Sequence, residues 1–117
     1  MKKAILINNN NIEFSASAAT PFLYKKIFGA DLLVALTELR GKTETSDRME
    51  LLNIVQRLAF VMYCEANIPQ REIFGKSEED FYIWLMNYDN LTDADFIAEI
   101  LGIWTDSTKT TSKPKKG

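Results

Sequence analysis

Histidine is absent from this chain and cysteine occurs once. The first absence removes the Ser-His-Asp triad, the Cys-His pair, His-ligated zinc and the imidazole switch that works near neutral pH. The second removes internal disulfides and four-cysteine metal sites. Glycine is scarce, with 5 residues, and none are grouped into a phosphate-cradling loop. The longest apolar run covers only residues 58–64. That is far below the ~20 residues of a membrane-spanning helix. Lys2 and Lys3 lead into just four apolar residues, 4–7, too few for a signal-peptide core of about 7–15 residues. Cys64 is internal and the chain ends in Gly117, so no lipidation signal is present. These absences disfavour catalysis, membrane insertion and any cofactor or metal, and they imply a protein that stays in the reducing cytoplasm. Cys64 lies among Val61, Met62, Tyr63 and Ala66 and reads as a buried, inert thiol.

What is present suits one compact domain. The 117 residues are 46% hydrophobic and 26% charged, an ordinary globular composition. A chain of this size buries roughly 65% of its unfolded surface. The net charge of −2 hides an asymmetry. Residues 107–117 hold four lysines and no acid, while residues 77–106 hold eight acids and no base.

The fold class read from the pattern is mainly α with an N-terminal β-hairpin: about five helices around a long central one. Residues 4–7 and 12–18 flank Asn8 to Asn11, and asparagine tolerates the left-handed angles of tight turns. Ile12, Phe14, Ala16 and Ala18 alternate with Glu13, Ser15 and Ser17, the period of a half-buried strand. Thr20-Pro21 reads as a hydroxyl cap with proline at the first helical position, and Gly29 as a left-handed stop. A second helix over residues 31–40 turns Leu32, Leu33, Leu36 and Leu39 inward, before a polar loop at residues 42–47. The longest helix spans residues 47–67, with Leu51, Val55, Leu58, Met62 and Glu65 on one stripe. Its second half is apolar on nearly all sides, the mark of a buried spine.

Residues 68–76 form a connection in which Ile73 and Phe74 anchor on the core. Ser77 caps a helix whose first turn is Glu78-Glu79-Asp80, where the helix dipole favours acids. Phe81, Trp84, Leu85 and Tyr88 follow at helical spacing. Thr92 caps a last helix with Phe96, Ile97, Ile100, Leu101 and Trp104 inward. Residues 1–106 therefore form the domain. Residues 107–117 have no apolar side chain and read as a disordered tail.

Three function classes remain. For catalysis or metal binding, Asp93 and Asp95 diverge on a helix, and they serve its dipole better than any acid/base role. A nucleic-acid reader needs a basic face, but the first 106 residues hold 10 bases against 16 acids. The lysine tail reads as a solvated end. Protein binding fits best. Tyr82, Ile83 and Met86 fall off the 81/84/85/88 stripe, and aromatics with methionine are enriched at interface cores. The candidate contacts are Tyr82, Trp84, Met86 and Tyr88, with Tyr24, Lys25 and Lys26 as weaker ones. Either these aromatics are ordinary core, or they form an apolar groove with an acidic rim that attracts a basic amphipathic helix.

One stretch resembles a known family. ATPFLYKKIFGADLL, residues 19–33, follows the strand-like INNNNIEFSAS. This run is similar to the tail assembly chaperones of long-tailed bacteriophages and prophages, of the type found in phages of Gram-positive bacteria. The layout agrees: a long apolar helix (LLNIVQRLAFVMYCEAN), an acidic aromatic segment around FYIWLMNYDN, a last helix ending at IWTDS, and a lysine-rich tail. The resemblance implies a non-enzymatic protein that binds the tape measure protein, keeps it soluble and recruits tail tube subunits. It implies work in the host bacterial cytoplasm and absence from the finished virion. Many copies along one client favour a weak homo-oligomer. The family commonly makes a longer frameshifted product, and lysine codons at Lys115-Lys116 can form the slippery run it needs. The other reading is a generic cytoplasmic adaptor or an antitoxin-like helical protein.

Overall fold

The structure is a computed structural model that describes residues 2–40, 47–89 and 91–108. The expected loop before the long helix and the tail beyond residue 108, with its lysine pair, lie outside the described residues, as does the side chain of Leu39. Two strands and six helices follow in order: β1 (Lys2–Ile7), β2 (Asn10–Ser15), α1 (Thr20–Phe28), α2 (Leu32–Arg40), α3 (Asp47–Asn67), α4 (Gln70–Ile73), α5 (Glu78–Leu85) and α6 (Ala94–Thr108). The fold is mainly α with an N-terminal antiparallel hairpin, as the pattern of the sequence requires.

Asn8 and Asn9 make the hairpin turn with φ of 51° and 67°. Both are left-handed, as a two-residue type I′ turn demands. Asn10 and Asn11 belong to β2, so the turn is shorter than the run of four asparagines suggests. The register pairs Ile5 with Ile12 and Lys3 with Phe14 on one face. Phe14 is fully buried and meets Tyr63 of α3 and Phe96 of α6 edge-on, at centroid distances of 6.5 and 6.3 Å. An isolated hairpin is marginal in water; these ring contacts hold it on the helices. Lys3 ties β1 to α6 through a 2.8 Å ion pair with Glu99, whose hydrogen bond and charge raise the Lys3 ammonium above its ordinary value.

Helix α3 is the spine, packing against β2 and every other helix. Leu58 to Met62 and Cys64 are buried, with Tyr63 half-buried between them, so this stretch of the helix is covered on nearly all sides. Burial pushes the Cys64 thiol up to about 12.

The structure bears out some local expectations and corrects others. The N-cap of α1 is Ala19, and Thr20 is the first helical residue, its hydroxyl turned to another task. Gly29 stops α1 at φ 74°, donating its N–H to Lys25 O at 2.7 Å. In α2, Leu32 is buried but Leu33 is exposed. Asp31 Oδ1 caps this helix by accepting from the Val34 N–H at 3.1 Å. Ile73 anchors in the core, whereas Phe74 turns outward.

Helix α5 ends at Leu85, so Tyr88 lies in the following turn. At its start Asp80 reaches back, its Oδ2 accepting from the Ser77 N–H and hydroxyl at 2.9 and 3.1 Å. At the start of α6, Asp93 Oδ1 accepts from the Asp95 N–H at 3.1 Å. Helix α6 continues through Ser107 and Thr108 into the expected tail; their hydroxyls donate back to the Trp104 and Thr105 carbonyls.

Candidate functional site

The inner face of α5 closes an aromatic stack. Phe81 and Trp84 lie on Phe60 at centroid distances of 5.8 and 5.6 Å, and Phe81 also meets Phe28 edge-on at 5.2 Å. Arg57 reaches from α3 over the Phe28 and Phe81 rings, its guanidinium carbon 5.2 and 5.8 Å from their centroids. Its Nη2 donates to Glu78 Oε2 at 3.1 Å. The cation is therefore held by two π faces and one carboxylate.

This arrangement sorts the candidate contact residues. Trp84 is 6% exposed and Tyr24 is 1% exposed. Both are packed in the core and offer no face to a partner, because i, i+3 spacing with Phe81 turns Trp84 inward. Burial also raises the Tyr24 hydroxyl above its ordinary value. Tyr88 is half-buried and packs edge-on against Trp84 at 5.3 Å. Tyr82 and Met86 remain on the surface, at 47% and 80% exposure. Ile83 lies between them and is also exposed. These three form an apolar ridge along the outer side of α5, with Glu78, Glu79 and Asp89 exposed nearby in sequence. Lys25 and Lys26 are exposed on α1, away from that ridge in the chain.

A second feature was not legible as a site. A groove of about 340 Å³ opens between α1 and α4, lined by Phe22, Leu23, Ile73 and Phe74, with Lys26 and Glu65 as its charged residues. Phe22 and Phe74 are 76% and 58% exposed. At its wall, Glu65 Oε1 accepts from the Ser17 hydroxyl at 2.6 Å, and Oε2 accepts from the Thr20 hydroxyl at 2.5 Å. The Ser17 N–H in turn donates to Thr20 Oγ1 at 2.9 Å. Glu65 thus pins the hairpin-to-α1 junction onto the spine. In sequence it stood on the apolar stripe of α3, and that anomaly was the one signal of this role.

Among the described residues no group of three or more cysteines, aspartates and glutamates could hold a metal ion, and no helix is long and apolar enough to cross a membrane. No protein-family model, curated protein or solved structure matches this chain.

Proposed function

We propose that this protein is a phage tail assembly chaperone. It binds the tape measure protein stoichiometrically and without turnover, keeps it soluble, and helps recruit tail tube subunits. It works in the host bacterial cytoplasm and is left out of the finished virion. The family assignment is supported by the resemblance of residues 19–33 and of the element layout around them.

The observation that carries the binding mode is the ridge of Tyr82, Ile83 and Met86 on a helix whose segment, residues 77–106, has acids and no base. The client in this reading is a long amphipathic helix whose apolar stripe aggregates when bare. The ridge covers part of that stripe, and Glu79 and Asp89 meet basic residues flanking it. Co-expression with a tape measure fragment tests this. The expected result is co-elution and a soluble client, both lost in Met86→Ser combined with Ile83→Ser. A client that stays insoluble beside the wild-type chain overturns the reading.

A further inference from the structure

Most polar groups on the wall of the groove between α1 and α4 are occupied. The Ser17 hydroxyl donates to Glu65 at 2.6 Å and accepts from the Ala19 N–H at 3.1 Å. The other Glu65 oxygen takes the Thr20 hydroxyl. Two lining side chains remain, Lys26 and Gln70. Both are exposed, and neither makes a side-chain hydrogen bond or an ion pair among the described residues. Phe22 stands one turn before Lys26, on the same side of α1, and Phe74 closes the groove from the end of α4. Helix α1 carries Lys25 and Lys26 and no acid, while α4 balances Arg71 with Glu72. The unopposed charge around the groove is therefore positive. Lysines in a last turn complement the helix dipole, which accounts for their sign. It does not account for the bare Phe22 ring on the same side, 76% exposed.

The groove is at the low end of the ~300–1,000 Å³ of ligand pockets, and α4 is a single turn of 4 residues. That is room for one or two large side chains. A helical ligand satisfies its own backbone groups and leaves the Gln70 amide unused; an extended one offers it a carbonyl and an N–H. We infer that this groove binds a short extended segment of another protein, in which a large apolar side chain is flanked by acidic residues. The apolar side chain enters between Phe22 and Phe74, the acids meet Lys25 and Lys26, and the Gln70 amide bonds the segment's backbone. The groove shares no residue with the α5 ridge and favours the opposite charge. One molecule can thus hold a basic helix on one surface and an acidic segment on the other. The site stands whether or not a tape measure protein is the client of the ridge.

The test uses the purified full-length protein and a short fluorescein-labelled peptide of Glu, Asp, Leu and Phe. Fluorescence anisotropy should show saturable binding that weakens at high salt. The same peptide with Lys in place of every acid should bind at least ~10-fold more weakly. Phe22→Ser and Phe74→Ser should each weaken binding of the acidic peptide by about tenfold. Both rings are largely exposed, and circular dichroism checks that the variants are folded. Gln70→Ala should lose about 2–5-fold. Lys25→Glu combined with Lys26→Glu should reverse the preference in favour of the Lys peptide. On titration, backbone amide resonances should shift at Phe22, Lys26, Gln70 and Phe74 and stay in place at Tyr82, Ile83 and Met86. An acidic peptide that does not bind overturns the inference. So does a Lys peptide bound equally well, or a set of shifts on the ridge instead. A wild-type dimer that Phe22→Ser converts to monomer and the peptide does not would make a second copy the occupant, and also overturns it.

Discussion

Phe81 and Tyr82 are neighbours on α5, yet one is 1% exposed and the other 47%. The inner side of this helix, Phe81 and Trp84, is bonded into the Phe28–Phe60–Arg57 stack. The outer side, Tyr82, Ile83 and Met86, faces solvent. Both sides have the same kind of composition, so composition cannot separate core from contact surface. The separation comes from the turn of about 100° between successive helix residues and from which side meets α3. A large apolar residue stabilises the fold only where neighbours surround it; elsewhere it is available to a partner.

The strongest way to break this contrast is Trp84→Ala. Loss of a ring packed on Phe60, Tyr63 and Tyr88 should cost about 3–5 kcal/mol, read as a lower denaturation midpoint in urea. A cost near zero would make Trp84 a surface residue after all. Next is Glu65→Ala, which leaves the fully buried Thr20 hydroxyl without its acceptor. The expected loss is about 1–3 kcal/mol, and Glu65→Gln, which keeps an acceptor oxygen, should lose less.

Cys64 gives a pH test of the buried side. Its folded value, about 12, lies above the ordinary thiol value of 9.0 because burial disfavours the thiolate. Stability from this group is therefore fully present below pH 9.0 and is lost as pH rises toward about 12, at up to ~1.4 kcal/mol per pH unit. Cys64→Ala should flatten the alkaline limb of a stability-versus-pH curve, and thiol reagents should label the native protein far more slowly than the unfolded chain. The smallest effect is expected at Met86→Ser, within about 0.5 kcal/mol in the same urea experiment. A loss as large as that of Trp84→Ala would erase the distinction between the two sides.

Much of the fold was legible because local chemistry and tertiary packing agree. The asparagine turn needs positive φ, Gly29 needs the left-handed region, and the all-apolar half of α3 needs neighbours on every side. Legibility failed where two elements distant in sequence had to meet. Leu33 and Phe74 read as inward by hydrophobicity, but α2 and α4 each present one narrow side to the core, filled by Leu32 and Ile73. Thr20 reads as a cap because hydroxyls before proline commonly are, yet its hydroxyl donates its hydrogen bond to Glu65, 45 positions away. The ridge is half legible: Tyr82 and Met86 fall off the apolar stripe, but nothing in the sequence separates the buried Trp84 and Tyr24 from them. Phe22 carries no signal in the sequence, since nothing in its own segment sets it beside Phe74.

The sequence by itself determined the hairpin, every helix of the described residues except the short α4, the central helix and the charge asymmetry, because turns, caps and periodicity act over a few residues. Only the tertiary structure decided which aromatics are core, where Glu65 finds its donors, and that Phe22 and Phe74 border one groove. Those outcomes depend on contacts between segments tens of residues apart, and hydrophobicity has no direction until such contacts supply one.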